Sequence, residues 1–290
     1  MFFDVHLHAV HFSDPRQAAI TNFATAEDLL GRFGELGIDR GVLLPIVHHE
    51  CLSFIQTNEG VLDIANRFPG RFVPFCNFDP RMHGNRSTTD FTPLLDHYRG
   101  LGCRGVGELC CALWWDDPRV LNLLSHVEKA GLPLLFHLGL EQGTYGLIDD
   151  PGLPRLEANL ARFPRLQFIG HSMAFWSAIS GDVTPETWMG YPSGPVAAGG
   201  RLPAMLRQYA NLWCDISAGS GYNALARDPD FGYAFLEEFH GRVLYGTDIC
   251  SAAQEVKQSQ FLLDGLHGGR LSQGAFDRIA RLNAEELLGV

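Results

Sequence analysis

The sequence has few positive charges and no dense run of lysine and arginine. Its 22 Lys and Arg are outnumbered by 33 Asp and Glu, which gives a formal net charge of −11. A surface of this charge does not suit the phosphates of nucleic acid or an anionic membrane. The start, MFFDVHLH, lacks the basic and apolar segments of a signal peptide, and no apolar run reaches the ~18 residues of a membrane span. We therefore expect a cytoplasmic protein that acts on a small molecule and binds neither nucleic acid nor a membrane. The sequence does not decide between a monomer and a homo-oligomer.

The cysteines are odd in number and contain no C-x-x-C pair. There are seven, mostly inside apolar segments where cysteine behaves as a small hydrophobic residue. This pattern argues against both a disulfide framework and a zinc finger. The 290 residues, 46% hydrophobic and 19% charged, are typical of a globular chain. They suit one α/β barrel of about 250 residues or two smaller domains, and composition does not choose between these.

Short apolar segments alternate with helix-like segments along the whole chain. The predicted strands are Phe3–Leu7, Gly41–Ile46, Phe72–Phe78, Arg104–Leu109, Pro133–Leu138, Leu166–Gly170, Leu212–Ile216 and Val243–Gly246. The predicted helices are Ala26–Leu36, Gly60–Arg67, Thr92–Gly100, Pro118–Ala130, Leu153–Arg162, Pro203–Gln208, Asp230–Phe239, Ala253–His267 and Ser272–Leu288. Continuous apolar strands are typical of a parallel sheet covered by helices. The alternation predicts an α/β fold, either a (β/α)₈ TIM barrel or a doubly wound open sheet.

The longest stretch without periodicity is Met173–Leu202, a long loop after the sixth predicted strand. It is rich in Gly, Pro and Ser and carries Trp176, Trp188 and Tyr191. Because loops of this length in compact domains usually have a function, we expect a lid over the barrel mouth. A passive surface insertion is the alternative.

Histidines and carboxylates close five of the predicted strands. They are His6 and His8, Glu108, His137, His171 and Asp248. In a TIM barrel the active site is built at the carboxyl ends of the strands, so this placement favours the closed barrel. Residues i and i+2 of a strand point to the same face, so His6 and His8 can reach one ion. Imidazole and carboxylate donors suit Zn²⁺, Mn²⁺ or Fe²⁺.

Five motifs carry a family resemblance over nearly the whole chain. FDVHLH, GVGEL, LLFHLG, FIGHS and LYGTD, together with the ending RLNAEELLG, resemble the amidohydrolase superfamily, in the branch that includes aminocarboxymuconate-semialdehyde decarboxylase. The resemblance implies a single TIM-barrel domain over residues 1–290 and a divalent metal, most simply zinc, with manganese or iron as alternatives. It implies the metal ligands His6, His8, His137 and Asp248, with Glu108 resembling a glutamate that bridges two metals in some members. One or two ions therefore remain open.

The resemblance also implies catalytic roles. A divalent metal would activate water, and Asp248 would take its proton and pass it to the leaving group. His171 would polarise the carbonyl oxygen of the substrate, with a packing role as the alternative. Candidate substrate contacts on the neighbouring loops are Arg81, His49, Trp114, Trp176 and Asn223. Of these, Arg81 could grip a carboxylate with two hydrogen bonds, although an ordinary solvated loop explains such residues equally well.

Three functions compete at this point. The first is metal-dependent hydrolysis of an amide, lactone or ester bond in a small molecule that can carry a carboxylate. The second keeps the metal but removes carbon dioxide without oxidation from an aromatic or muconate-like acid. The third is a non-catalytic barrel stabilised by its metal, which is disfavoured because structural zinc sites are closed and usually rich in cysteine.

Overall fold

The computed structural model describes residues 1–10, 23–51, 55–139 and 145–290. Nine strands are formed in this part of the chain: β1 Phe2–Leu7, β2 Ile38–Leu43, β3 Phe72–Pro74, β4 Val106–Leu109, β5 Leu134–Gly139, β6 Leu147–Ile148, β7 Phe168–His171, β8 Leu212–Asp215 and β9 Val243–Leu244. All paired strands are parallel. Each of the eight predicted strands overlaps an observed one, and β6 is an additional short strand beside β5.

The strands close into a barrel. The order is β1-β2-β3 in one sheet and β4-β5-β7-β8-β9 in the other. An isolated bridge between Cys76 and Val106 continues the first sheet into β4. A second bridge joins Leu7 to Ile249, and the amide of Val5 donates to Tyr245 O at 3.0 Å. These links connect both edges of the two sheets, which confirms the predicted TIM barrel and excludes the open sheet.

Helices follow most of the strands. They are α1 Ala26–Leu36, α2 Asn58–Arg67, α3 Met82–Asn85, α4 Thr92–Gly100, α5 Pro118–Ala130, α6 Pro154–Arg162, α7 Met173–Ser177, α8 Arg201–Gln208, α9 Ala218–Ala226, α10 Pro229–Phe239, α11 Gln258–His267, α12 Gln273–Asp277 and α13 Asn283–Leu288. In α1, Thr25 and Asp28 form a capping box, and Gly37 ends the helix with φ 69°. Among the described residues, no helix is long and apolar enough to cross a bilayer.

Two buried clusters hold the barrel together. A smaller cluster joins side chains of β1, β2, β3, β5, β7 and β9 with Ala284 and Leu288 of α13. Residues from so many strands of a closed barrel can meet only in its interior, and α13 supplies two of the side chains that complete this core. The larger cluster packs strand residues against the helices. The polar side chains at the carboxyl ends are thereby placed above a filled, rigid core.

The structure corrects several predicted elements. The segment Met173–Leu202 begins with helix α7, and the long loop covers residues 178–200. Trp176 and Trp188 are 1% and 3% exposed, whereas Tyr191 is 55% exposed, so two of the three predicted lid aromatics belong to the core. The predicted helix Ser272–Leu288 is interrupted by a π-helical turn at Arg278–Leu282. Helix α9 was missed because its AGSGYNALA sequence has no strong amphipathic pattern.

Candidate metal centre

Three side chains, from β1, from the residue that follows it and from β4, meet in a buried cluster. The Nε2 atoms of His6 and His8 are 3.1 Å apart. Glu108 Oε2 lies 3.5 Å from His6 Nε2 and 3.3 Å from His8 Nε2. All three residues are at most 5% exposed. The i, i+2 spacing of the histidines therefore aims both rings at one point, as predicted.

Asp248 completes the cluster from the loop after β9. Its Oδ1 is 3.4 Å from His6 Nε2 and 3.6 Å from His8 Nε2, and its Oδ2 is 3.6 Å from His171 Nε2. The backbone of Asp248 has φ 55°, a left-handed conformation that residues other than glycine seldom adopt, and its amide donates to His6 O. The side chain is 21% exposed, against 6% for Glu108. Asp248 is thus the more accessible of these two carboxylates.

The hydrogen bonds of the histidines leave lone pairs that face one another. His8 Nδ1 must donate to the carbonyl of Leu44, and His6 Nδ1 lies 2.6 Å from the Asp215 carboxylate, which accepts its proton. If both rings are neutral, the Nε2 atoms of His6 and His8 carry lone pairs that face each other and the nearby carboxylate oxygens. These acceptors repel one another unless a cation lies between them. A tetrahedral shell with bonds of 2.0–2.1 Å has donor–donor edges of roughly 3.3 Å. The observed separations of 3.1–3.6 Å between these donor atoms lie close to that edge length.

The described residues form two overlapping donor sets. One consists of His6, His8 and Asp248, and the other of His6, Glu108 and His171, with the donor atoms of each set within 4.8 Å of one another. Both sets use His6. Because Nδ1 of His6 is engaged by Asp215, only its Nε2 can serve either set.

The electrostatics of the cluster also demand a positive charge. Burial alone would lower the pKa of His6, but the charges of Asp248, Asp215 and Glu108 raise it well above its ordinary value. The pKa of Glu108, which burial would raise, is held well below its usual range by His6 and by hydrogen bonds from His137 and the other histidines. Burial lowers the pKa of His171 to about 4, so this ring is neutral at physiological pH. A second proton on His6 and a metal ion would therefore compete for the same atom, Nε2 of His6, because Nδ1 is already bound to Asp215.

His137 stands beside the cluster rather than within either donor set. Its Nδ1 is 2.8 Å from Glu108 Oε1, and its ring centroid lies 5.3 Å from that of His171. The Tyr145 ring also packs against His137, at a centroid distance of 4.6 Å. Among the described residues, His137 thus orients Glu108, whereas the sequence predicted it as a direct ligand; His6, His8 and Asp248 are brought together as predicted.

Arg81 and His49 line a cavity whose lining includes none of the side chains of the donor cluster. The guanidinium of Arg81 pairs with Glu50 at 2.5 and 3.0 Å and with Asp79 at 2.6 Å. With His49 and residues of α2 it lines a cavity of about 520 Å³ between the loops after β2 and β3. Because Glu50 already occupies the forked face of Arg81, the predicted grip on a substrate carboxylate would require Glu50 to leave.

The remaining predicted substrate contacts have structural partners. The half-buried Trp114 ring lies under the Arg155 guanidinium, 4.3 Å from the ring centroid. Trp176 is buried and donates from Nε1 to Asp215 O at 2.9 Å, so we assign it to supporting Asp215 instead of contacting substrate. Asn223 donates to Pro192 O and borders a cavity of about 10 Å³, which holds one water at most.

Sequence reasoning did not identify four residues around the cluster, which are Asp4, Asp215, Tyr145 and Ser217, the hydrogen-bond partner of Asp215 and His171. Asp4 accepts from the amide and hydroxyl of Thr247, and burial raises its pKa to about 7. Asp215 is fully buried beneath His6. Asp4 and Asp215 could have been found, because Asp4 shares the strand alternation of His6 and His8, and Asp215 is the last residue but one of the predicted strand Leu212–Ile216. Nothing in the sequence pointed to Tyr145.

A closed parallel barrel with histidines and carboxylates at its carboxyl ends defines a TIM-barrel enzyme of the metal-dependent type. The chain belongs to the amidohydrolase family, whose sequence profile matches residues 3–290. This confirms the resemblance noted from the motifs. The family is metal-dependent, in agreement with the donor cluster. No curated protein matches the sequence.

Solved structures share the fold at low identity. A probable 2-pyrone-4,6-dicarboxylic acid hydrolase from Acinetobacter baumannii is 16% identical over 100% of this chain and 99% of its own, with a TM-score of 0.61. The 5-carboxyvanillate decarboxylase of Sphingomonas paucimobilis is 14% identical over 100% and 99%, with a TM-score of 0.57. An amidohydrolase from Burkholderia multivorans with bound zinc is 14% identical over 100% and 99%, with a TM-score of 0.56. These likenesses establish the fold and leave the reaction open.

Proposed function

We propose that the protein is a metal-dependent hydrolase that uses water to break an amide, lactone or ester bond of a small molecule, which can carry a carboxylate. The position of Asp248 carries this proposal. Its carboxylate touches both donor sets, with distances of 3.4 to 3.6 Å to His6, His8 and His171, and it is partly exposed. A carboxylate that is both beside the cation and open to solvent is placed to exchange a proton during the reaction.

His6, His8 and Asp248 would hold the ion, with Glu108 and His171 as the further donors. Zinc is our first choice because imidazole and carboxylate donors at tetrahedral spacings suit it, and the zinc-bound Burkholderia structure has the same fold. Manganese and iron remain alternatives to test. When bound, the cation would supply Lewis-acid chemistry and make water more acidic. Because both donor sets share Nε2 of His6, we expect one ion per chain.

The side chains then have separate tasks in hydrolysis. Asp248 takes a proton from the attacking water and returns it to the leaving nitrogen or oxygen, so that water is consumed and an acid and an amine or alcohol are formed. Glu108 is fixed by His137 and balances the charge of the cluster. His6 and His8 are held by Asp215 and Leu44 O, which prevents their rings from rotating during turnover.

A second candidate, non-oxidative decarboxylation of an aromatic or muconate-like acid, is favoured by one specific observation. The Tyr145 ring lies 4.6 Å from the His137 ring, centroid to centroid, at an interplanar angle of 46°, and Tyr145 is 41% exposed, so its ring offers an aromatic surface beside the cluster for a conjugated ring. The similarity to the Sphingomonas decarboxylase supports the same candidate. In that reaction Asp248 would deliver a proton to the carbon that loses carbon dioxide.

One experiment separates the two reactions. The protein, loaded with zinc, manganese or iron, is incubated with a panel of lactones, amides, esters and aromatic carboxylates, and products are identified by mass. Hydrolysis gives products that together contain one added water, whereas decarboxylation gives a product lighter by one carbon dioxide. We expect hydrolysis that stops when a chelator removes the metal and resumes when metal is restored. Turnover that persists in metal-free protein would contradict both candidates, and loss of carbon dioxide would replace the first with the second.

A further inference from the structure

We propose that Ser217 is a positioning residue that sets the proton on His171, so that Nε2 of His171 faces the cluster as a bare lone pair. The proposal rests on the metal-dependent function proposed above, in that the lone pair is offered to a cation. Ser217 is fully buried. Its Oγ lies 2.9 Å from His171 Nδ1, 2.8 Å from Asp215 Oδ2 and 3.3 Å from His6 Nδ1.

Counting protons fixes the direction of these hydrogen bonds. The Asp215 carboxylate accepts from the Ser217 amide at 2.8 Å and from His6 Nδ1 at 2.6 Å. A hydroxyl has one proton and a carboxylate has none to give, so the short Ser217–Asp215 contact requires the hydroxyl to donate to Asp215. Toward His171 the same oxygen can then only accept. His171 therefore carries its proton on Nδ1.

The consequence concerns the other nitrogen of His171. A neutral imidazole with its proton on Nδ1 has a lone pair on Nε2. That atom belongs to the donor set with His6 and Glu108 and lies 3.6 Å from Asp248 Oδ2. It can accept a cation, but it cannot donate a hydrogen bond to a substrate carbonyl. This revises the role expected for His171 from the family resemblance, which required a donor at the substrate.

The serine is needed because Asp215 does not reach His171 by itself. The distance from His171 Nδ1 to Asp215 Oδ2 is 3.6 Å, beyond an ordinary hydrogen bond, and the hydroxyl fills the gap. Asp215 thus acts on two histidines, directly on His6 and through Ser217 on His171. Gly246 makes room for this arrangement, since a Cβ there would lie 2.3 Å from Asp215 Oδ1 and 3.0 Å from Ser217 Cβ.

Zinc affinity tests the proposal with Ser217→Ala. The apparent zinc dissociation constant is measured by competition with a fluorescent chelator. We expect a weakening of about 10- to 100-fold, the range found when partners of metal ligands are removed. Ser177→Ala is the matched control, because it removes another buried serine hydroxyl whose bond is to Ala174 O. The control should keep native affinity; equal affinity in Ser217→Ala would overturn the proposal.

The tautomer is read directly from nitrogen NMR of the histidine rings at neutral pH, in metal-free native protein. The native His171 signals should show the proton on Nδ1, and Ser217→Ala should give a mixture of the two tautomers. A native His171 protonated on Nε2 would overturn the proposal even if the variant failed to fold. If the protein bound no zinc and showed no turnover, the proposed function would fail, whereas the NMR result would still decide the role of Ser217.

Discussion

Replacing Asp248 with asparagine is the most direct test of the proposed reaction. Asparagine keeps the size, retains one oxygen that can face His6 and His8, and tolerates the left-handed backbone at φ 55°. It cannot accept the water proton. Loss of general acid–base catalysis lowers turnover by roughly 10²–10⁴-fold, which corresponds to about 3–5 kcal/mol of activation free energy. We therefore expect metal binding to be retained in part and turnover to be nearly lost.

The assay compares kcat per bound metal on a substrate identified in the panel. Asp248→Ala serves as a second variant: it removes the oxygen donor as well, and alanine at a left-handed position costs about 1–2 kcal/mol of folding stability. We expect metal loss to be greater in alanine than in asparagine. If Asp248→Asn bound metal and turned over at close to the native rate, the reasoning about Asp248 would be refuted.

Three further predictions concern the cluster, the glycine beside Asp215 and the buried His48. His6→Ala should abolish metal binding measured by elemental analysis, because both donor sets use His6, whereas His137→Ala should retain part of the metal, since its observed contact is with a ligand. Gly246→Ala should lower the free energy of unfolding by about 1–3 kcal/mol, because its methyl group would overlap Asp215; a urea melt measures this, and an unchanged midpoint would contradict the packing. Burial lowers the pKa of His48 to about 4, so below about pH 6.5 the unfolded chain binds a proton that the folded chain does not, and the free energy of unfolding decreases as the pH is lowered. Between pH 7 and 4.5 the native protein should lose about 2 kcal/mol more unfolding free energy than His48→Gln; equal losses would count against this burial effect.

Local sequence signals determined the strands, several helices and the principal candidate ligands. Continuous apolar runs marked all eight barrel strands because a strand covered on both faces has no polar side. The ends of α1 also depend on local sequence, because Thr25, Asp28 and Gly37 cap the helix and each lies within one turn of an end. His6 and His8 were predictable because two residues along a strand return to the same face. Asp248 was predictable from its place after a strand.

Tertiary structure decided the contacts between residues that are distant along the chain. The pairing of Leu7 with Ile249 closes the barrel, and no local pattern distinguishes it from an open sheet. Arg81 was expected as a candidate substrate contact but is held by Glu50 and Asp79, and Trp176 was expected in a lid over the barrel mouth but packs in the core. The link from Asp215 through Ser217 to His171 joins the ends of two strands, β8 and β7, at hydrogen-bond distance. Such contacts depend on the register and closure of the whole barrel, because these decide which side chains come within hydrogen-bond distance, and residue type alone carries no such information.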